Sequence, residues 1–304
     1  MTSDRPPEAA PKTVKAYLDE LRRALKGAPA GLISDALADT EDHLNNEISH
    51  NPEIPESQIL AEVIDTYGTP QEIAEEYRDM EATIGGPFPK SESAPERRYG
   101  FFNVISDPRT YGALLYMLLS LATGIFYFTW TVVGISLSLS FAILIIGIPF
   151  ALIFLASIRV LSHVEGRIVE ALLGVRMPRR LPAGPAADEG IWTKVKEALA
   201  DVRTWSSLFY MLLMLPLGIC YFVIGVVGLS LSLGVTAGSI YSLVTGESHF
   251  QMSGAPYLQH MLHTAPGLAV LALVGVLLFF LVLHVARAIG WVHGKIAEGL
   301  LVRL

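Results

Sequence analysis

The side chains best suited to chemistry lie in a short polar block, residues 235–264, between two long apolar runs. The block contains one acid and three histidines, namely Glu247, His249, His260 and His263. His260 and His263 are three residues apart, a spacing that lets two zinc ligands share one helical turn, and histidine also titrates near neutral pH. No tighter motif accompanies this pair, so ordinary packing at the membrane interface is favoured over pH sensing and metal binding. The sequence therefore predicts no metal and no cofactor, and it marks the block as a candidate sensing loop.

The rest of the sequence offers little for catalysis. It contains no nucleophile paired with a base, no glycine-rich phosphate loop and no pair of acids in a recognisable cleft. Cys220 is the single cysteine and lies in an apolar run, which excludes an internal disulfide and a cysteine-based metal cluster. An intramembrane enzyme would need inward-facing catalytic side chains that the apolar runs do not show. We therefore predict that the protein is not an enzyme.

A second polar group lies in an acidic segment, residues 67–79, which begins with a predicted junction between two helices. Gly68 closes the first helix, Thr69 caps the second, and Glu72 reaches back to the threonine amide. The solvent-facing acids of this segment are Glu72, Glu75, Glu76 and Asp79. Solvation of a polar helix face explains them, and a surface that faces a partner protein is the alternative.

Two long apolar segments, related by an internal repeat, form most of the remaining chain. Residues 107–139 align with residues 201–233 at an offset of 94, and 20 of the 33 positions are identical. Further on, residues 159–173 align with residues 287–301 at an offset of 128. The second copy therefore carries about 34 extra residues between its two arms, and these form the polar block.

Each copy is long enough to cross a bilayer twice. The 49 residues between Arg109 and Arg159 contain no Asp, Glu, Lys, Arg or His, whereas one spanning helix needs only about 20. We expect two spans joined by a tight turn near residues 134–140, and two more at 204–246 and 265–286. Lipid leaves only helices or closed barrels to satisfy the backbone. The predicted fold is therefore all-α, with four transmembrane helices arranged as two parallel repeated hairpins.

Matching small and aromatic residues in the first arms predict a contact between the two copies. Gly124 and Tyr127 in the first copy correspond to Gly218 and Tyr221 in the second. Small residues allow helices to approach closely in lipid. A pseudo-symmetric packing contact is therefore favoured over a ligand cleft.

Each copy ends in an amphipathic segment, residues 159–175 and 287–304. Such a segment lies along the lipid headgroups or continues the span. In the first segment, Val164 belongs to the predicted apolar stripe, while Glu165 and Glu170 are assigned to the polar face.

The distribution of cations predicts the orientation in the membrane. Lys and Arg flank the spans on the side of both termini and the central connection, whereas residues 135–140 and 235–264 contain neither. The positive-inside rule then predicts a multi-pass protein of the cell membrane, in contact with lipids, with cytoplasmic N- and C-termini.

Residues 12–83 form a separate helical, water-soluble unit in this prediction. They contain 6 Lys and Arg against 16 Asp and Glu. So acidic a unit is not expected to bind nucleic acid directly, because phosphate neutralisation dominates such binding. It is expected to meet the basic membrane edge in a contact that salt weakens. The predicted divisions are a disordered N-terminus at 1–11, the helical unit at 12–83, a flexible linker at 84–98, the first hairpin at 99–180, a linker at 181–191 and the second hairpin at 192–304.

Parts of this pattern resemble two known families. Residues 17–21, 33–37, 41–44 and 68–74 resemble the HAAS domain, a small α-helical signalling module of bacteria that is often encoded beside PadR-like regulators. Residues 107–139 resemble a four-helix transmembrane sensor domain found ahead of some actinobacterial histidine kinases. The resemblances imply a non-enzymatic membrane sensor that relays a membrane or envelope stimulus to a cytoplasmic partner, such as a PadR-like transcription regulator. A homo-oligomer is compatible with this role. The alternative is an accessory or permease-like subunit of a membrane transporter assembly.

Overall fold

The computed structural model describes residues 11–84, 101–141, 147–180, 191–247, 259–260 and 263–302. Within these ranges every regular element is a helix, and no strand is present. The predicted all-α fold is therefore confirmed.

The head consists of four helices: α1 (Val14–Ala24), α2 (Ala30–His50), α3 (Glu56–Tyr67) and α4 (Pro70–Ile84). Local signals set their ends. The Thr13 hydroxyl accepts a hydrogen bond from the Ala16 amide and so caps α1. Gly68 separates α3 from α4 with φ of +115°, a conformation that glycine adopts without strain. The Thr69 amide donates to the Glu72 carboxylate at 2.8 Å, as the sequence predicts.

The head buries its apolar side chains in two small clusters. Leu21 and Leu25 of α1 pack with Ile73 of α4, and Tyr17 of α1 packs with Leu44 of α2. Helix α1 therefore packs against both of its neighbours and gives the head a core of its own.

The membrane half contains a 3₁₀ helix, η1 (Phe101–Ser106), and the helices α5 (Pro108–Phe141), α6 (Gly147–Leu173), α7 (Ile191–Ala200), α8 (Val202–Thr245) and α9 (Ala265–Leu301). Of these, α5, α6, α8 and α9 are long and apolar enough to cross a membrane. Large apolar side chains such as Leu139, Ile153 and Val244 are exposed on them, as is expected of surfaces that face lipid. The four predicted spans are therefore confirmed within the described ranges.

The first hairpin turns later than the sequence suggested. Residues 134–140 are helical and belong to α5, which ends at Phe141, while α6 begins at Gly147. The predicted turn at 134–140 is wrong. Gly134 serves a different purpose, because a Cβ atom there would collide with the ring of Phe154. Its small size lets α5 and α6 approach closely.

Helical structure also extends beyond the predicted spans elsewhere. Helix α8 continues to Thr245, where Gly246 ends it in the left-handed conformation with φ of +74°. The loop of the second copy therefore begins after Thr245 rather than at Val235. The amphipathic segments that follow Arg159 and Arg287 continue α6 and α9 without a break, which is the second of the two arrangements considered for them.

Helices α5 and α8 cross with their backbones in contact. A Cβ atom at Gly124 would collide with the carbonyl of Met214, and a Cβ atom at Gly218 with the carbonyl of Ser120. The offset of 94 that aligns the two copies relates Gly124 to Gly218 and Ser120 to Met214. The two close approaches are therefore reciprocal.

The ends of the spans show the same exchange between copies. Arg159 of the first copy pairs with Asp201 of the second at 3.6 Å, and Arg287 of the second pairs with Asp107 of the first at 3.5 Å. The repeat alignment relates the two arginines to each other and the two aspartates to each other. Such reciprocal pairs are what a pseudo-twofold relation between two parallel hairpins would produce.

Candidate functional site

An ionisable cluster lies buried where the long helices converge. Glu165 of α6 is 0% exposed and accepts hydrogen bonds from three tyrosine hydroxyls. Tyr116 donates to its Oε1 at 2.6 Å, Tyr210 donates to the same oxygen at 3.1 Å, and Tyr127 donates to Oε2 at 3.0 Å. The carboxylate is thus held by α5 and α8 as well as by its own helix.

His293 of α9 contacts two of these tyrosines and is also 0% exposed. Its Nε2 lies 2.5 Å from the Tyr116 hydroxyl and 2.9 Å from the Tyr210 hydroxyl. Its Nδ1 lies 3.4 Å from the Tyr221 hydroxyl. A tyrosine hydroxyl that donates to Glu165 can only accept from His293, so the tautomer that fits these bonds carries the proton on Nε2. Its Nε2–H then donates to Tyr116 or Tyr210, and Nδ1 accepts from the Tyr221 hydroxyl.

We call these six residues the polar cluster: Tyr116, Tyr127, Glu165, Tyr210, Tyr221 and His293. They occupy three pairs of equivalent positions in the repeat. Glu165 corresponds to His293 at the offset of 128, and the four tyrosines correspond in pairs at the offset of 94. The cluster is therefore symmetric in its hydroxyls and asymmetric at its centre, where one copy supplies an acid and the other a base.

The arrangement connects an acid to a base through two hydroxyls. Tyr116 and Tyr210 each have one hydroxyl proton, so each donates at any moment to Glu165 or to His293. Reorienting these hydroxyls moves a hydrogen bond from one group to the other, while each proton stays on its tyrosine oxygen. Complete burial keeps solutes away, so the geometry suits a two-state switch better than catalysis. Ionisable groups among membrane-spanning helices are costly to bury and usually mark a functional position.

Sequence reasoning missed this cluster. It assigned Glu165 and Glu170 to a polar face, but they are 0% and 4% exposed, while Val164, assigned to the apolar stripe, is 45% exposed. The reason is that α5, α8 and α9 cover the acidic side of α6 and leave the other side to lipid. The available signal was the repeat itself, because Glu165 and His293 are ionisable residues at matching positions in two apolar copies.

The chain reverses direction at the end of α6 and packs back against it. Gly174 allows the reversal with φ of +72°, and residues 174–180, which we call the strap, follow. Met177 of the strap is fully buried in the same apolar core as Tyr116 and Tyr210, and it packs against Gly166. The strap therefore lies next to the polar cluster.

The strap also holds the head. The Arg176 guanidinium donates to Asp35 of α2 at 2.9 Å and to Glu81 of α4 at 3.1 Å. The backbone amides of Arg179 and Arg180 donate to the same Asp35 carboxylate, at 2.9 and 3.2 Å. Asp35 is 7% exposed, so a nearly buried carboxylate of the head is bound by three groups of the strap.

Further ion pairs extend this contact on both sides. Arg180 pairs with Asp39 at 2.5 Å and with Asp42 at 2.9 Å, both on α2. Within the membrane half, Arg179 pairs with Glu170 of α6 at 3.4 Å. The expected meeting of acidic head and basic membrane edge is thus present, and its cations come from the strap.

The acids proposed to face a partner are exposed on α4. The structure places Glu75, Glu76 and Asp79 in solvent, beyond the capping box formed by Glu72. The hydrogen bond from the Thr69 amide lowers the pKa of Glu72. Two residues after Asp79, α4 carries Glu81, so the exposed acidic face and the link to the strap share one helix.

The inner face of α4 is anchored at Tyr77. Its hydroxyl donates to Asp39 at 2.8 Å. Burial, with a smaller contribution from the Asp39 carboxylate, raises the pKa of Tyr77. The hydroxyl therefore stays protonated and holds α4 against α2.

The candidate sensing residues are not brought together. Glu247, His260 and His263 are exposed, and His249 lies outside the described residues. His263 Nε2 lies 2.9 Å from the Gln259 amide nitrogen. Among the residues that the structure describes, no three His, Cys, Asp or Glu side chains are grouped as metal ligands.

The residues predicted for helix packing divide into two roles. Gly124 and Gly218 lie at the crossing of α5 and α8, where each would collide with a backbone carbonyl if it carried a Cβ atom. Tyr127 and Tyr221 are buried and contribute hydroxyls to the polar cluster. Their hydrogen bonds were not foreseen from the sequence.

Two family models match the chain. The Sensor family, described as "Putative sensor", matches residues 116–301 and so spans the whole polar cluster and the strap. The HAAS family matches residues 16–76, which lie in the head. Neither a curated protein nor a solved structure matches the chain. Because the Sensor match covers more than half of the sequence, the chain belongs to the Sensor family and carries an N-terminal HAAS domain.

Proposed function

We propose that this membrane signalling protein relays a change in its membrane half to a cytoplasmic partner by changing how the strap holds the head. The families and the four apolar helices support signalling at a membrane. Neither family is catalytic, and we propose a non-enzymatic role. The positive-inside rule supports cytoplasmic termini in the cell membrane.

The observation that carries the proposal is the binding of Asp35 by the strap. A nearly buried carboxylate that accepts hydrogen bonds from the Arg176 guanidinium and two amides cannot lose them without being rehydrated. Truncating one partner of such a pair typically costs about 2–5 kcal/mol. The contact therefore has two distinct states, bound and released, which is what a relay requires.

The strap is also the part of the chain best placed to report the state of the polar cluster. Glu165 and the strap belong to one continuous stretch, because α6 ends at Leu173 only eight residues after Glu165. Met177 packs in the same core as the tyrosines, and Arg179 is held by Glu170. A change in the hydrogen bonds of Glu165 moves α6 and, with it, the cations that bind the head.

The output surface in this proposal is the exposed acidic face of α4. Glu75, Glu76 and Asp79 are free to meet a basic partner surface, and Glu81 on the same helix is fixed to Arg176. Release of the strap therefore changes the position of this face. The resemblance to HAAS modules makes a PadR-like transcription regulator the proposed partner.

The relay is tested by measuring the head position in the full chain. Spin labels at Glu62→Cys in the head and Lys295→Cys in α9, both exposed, are introduced with Cys220→Ser, which removes the single native cysteine. In lipid nanodiscs, Asp35→Asn is expected to lengthen and broaden the distance distribution. Asp19→Asn, on an exposed part of α1, is the matched control and should leave it unchanged. Identical distributions for Asp35→Asn and wild type would contradict the proposal.

The signalling role is tested in the source organism. A strain that lacks the gene is complemented with wild type, with Asp35→Asn, or with a charge-reversed α4 face that combines Glu75→Lys, Glu76→Lys and Asp79→Lys. We expect Asp35→Asn to change the levels of a defined set of transcripts relative to wild type. The charge reversal is expected to abolish the regulation of those transcripts. A change in solute uptake with unchanged transcripts would instead support the transporter-subunit alternative.

A further inference from the structure

A cavity of about 520 Å³ lies between the head and the membrane half. No residue of the polar cluster lines it, but Asp35, the carboxylate that the strap binds, lies in its wall on the head side. Helices α1 and α2 and Arg180 of the strap close it on the head side. The ends of α6 and α8 form its floor. Any ligand in this cavity would contact both parts of the molecule.

The floor of the cavity is rich in cations and hydroxyls. Arg159 and His163 come from α6, and Arg203 and Thr204 come from the first turn of α8. The one acid of the floor, Asp201, is already engaged, because it accepts from the Arg203 amide at 2.9 Å and pairs with Arg159 at 3.6 Å. The floor therefore keeps a net positive charge.

One hydroxyl of the floor has no hydrogen-bond partner. Thr204 is 3% exposed, and its Oγ1 finds no partner among the residues that the structure describes. An unsatisfied hydroxyl of this kind costs stability unless something binds it. Its counterpart in the first copy, Thr110, is likewise buried and unpartnered but does not line this cavity. The two threonines therefore provide a matched pair for experiment.

The start of α8 is already capped by Asp201, whose carboxylate accepts from the Arg203 amide and whose carbonyl accepts from the Thr204 amide. These two amides are therefore engaged, and the groups of the floor that suit phosphate oxygens are the guanidinium groups of Arg159 and Arg203. The floor thus combines two arginines, a histidine and an unsatisfied hydroxyl.

We propose that this cavity binds a phosphate group and that the bound phosphate loosens the head. The step from binding to release rests on the proposed function above. Its physical basis is competition, because Arg180 lines the cavity and is paired with Asp39 and Asp42 of the head. A phosphate anion on the floor draws Arg180 away from these acids and repels the carboxylates of Asp35 and Glu41, which also line the cavity.

The phosphate could come from a phospholipid headgroup or from a soluble phosphate compound. The floor is formed where α6 and α8 leave their apolar spans, so it lies at the depth of lipid headgroups. Full-length protein in detergent is therefore titrated with inorganic phosphate by calorimetry. In parallel, the protein is reconstituted in phosphatidylcholine nanodiscs with and without added phosphatidylglycerol. Native mass spectrometry then counts the phosphatidylglycerol molecules that the protein retains. Binding of inorganic phosphate alone identifies a soluble source, and retention of phosphatidylglycerol identifies a lipid source.

Two substitutions and their repeat counterparts decide whether this cavity is the site. Thr204→Val and Arg203→Gln are each expected to weaken binding about tenfold, the usual effect of losing one hydrogen bond to a charged group. Thr110→Val and Arg109→Gln, at the matching positions of the first copy, should leave binding unchanged. Equal binding by all four variants, or no binding by the wild type in either assay, would overturn the proposal.

The coupling of the site to the head is tested separately with the spin-labelled protein. Addition of whichever phosphate source binds should lengthen the distance between the labels in wild type, and Thr204→Val should prevent this. Binding that leaves the distance unchanged would contradict the coupling. The proposed function has its own test in Asp35→Asn, which does not depend on a ligand, so the two failures are distinguishable.

Discussion

The two hairpins of the membrane half are built alike but differ at their centre and at their ends. Their first arms cross at Gly124 and Gly218 with reciprocal close approaches. At the centre, the first copy supplies Glu165 where the second supplies His293. The contacts that hold the copies together use equivalent residues in both copies, whereas the two ionisable positions hold different residues. In the proposed relay, packing and signalling are therefore carried by different residues of the same repeat.

The ends of the two copies are alike up to the last turn of their second arms and differ after it. Beside α5, η1 packs on the middle of α9, with Phe101 stacked on His284 at 4.9 Å and packed on Phe280. The residues equivalent to η1 in the second copy, 195–200, belong to α7, which packs on α6. Helices α6 and α9 end at equivalent residues, Leu173 and Leu301. The difference is that the chain after Leu173 forms the strap, which binds the head.

Among substitutions that test this comparison, Glu165→Ala is expected to cause the largest loss of stability. Three tyrosine hydroxyls lose their acceptor and a buried space opens, so we expect a loss of about 3–5 kcal/mol in the free energy of unfolding. Unfolding by SDS in mixed micelles measures this loss. Glu298→Ala, which breaks only the exposed pair with Lys295, serves as the control and should cost less than about 0.5 kcal/mol. A loss below about 1 kcal/mol for Glu165→Ala would contradict the hydrogen bonding described for the polar cluster.

Exchange of the two central residues tests their equivalence directly. Glu165→His places two bases beside the bridging tyrosines, and His293→Glu places two acids there. The double exchange restores one of each. We therefore expect the double variant to be more stable than the sum of the single effects by about 1–3 kcal/mol, measured by the same unfolding assay. Purely additive losses would show that the two positions are not equivalent.

The crossing of α5 and α8 should respond equally in both copies. Gly124→Ala and Gly218→Ala each force two backbones apart, which costs about 1–3 kcal/mol. Gly234→Ala in α8 is the control, because a Cβ atom there meets nothing within 4 Å. Alanine at this helical position should stabilise by up to about 1 kcal/mol. A large effect in one copy alone would count against the reciprocal crossing.

The smallest loss of stability is expected at the two ion pairs that join one copy to the other. Arg159→Gln and Arg287→Gln each remove a partly exposed pair, with side-chain exposures of 22% and 34%. Such pairs contribute about 0.2–1 kcal/mol and weaken with salt. The difference in unfolding free energy between each variant and wild type should therefore shrink as the salt concentration rises. Unfolding at low and high salt measures this change. A difference of more than about 1 kcal/mol between the two variants would break the predicted equivalence.

The sequence predicted the features that depend on local chemistry or on composition. The uncharged runs predicted the four spans, and Thr69 with Glu72 predicted the junction before α4. The repeat also predicted a helix contact at Gly124 and Gly218. In each case the signal lies within one segment of the chain.

The remaining features depend on how distant segments meet. Glu165 looks solvated when its helix is considered alone, and only the convergence of α5, α8 and α9 buries it. The contact between Asp35 and Arg176 joins residues 141 positions apart, and no periodicity specifies it. The turn was misplaced because Gly134, at the start of the predicted turn, lies within α5, where its small size permits packing against Phe154.

The central claim is that the state of the polar cluster sets the position of the head. Its most direct test is Glu165→Gln, which keeps the shape of the side chain and replaces the carboxyl group by an amide, in the protein labelled at Glu62→Cys and Lys295→Cys. We expect the distance distribution in nanodiscs to shift toward that of Asp35→Asn, while Ser157→Ala on the same helix leaves it unchanged. A Glu165→Gln distribution that coincides with wild type, in a preparation where Asp35→Asn shifts, would contradict the claim.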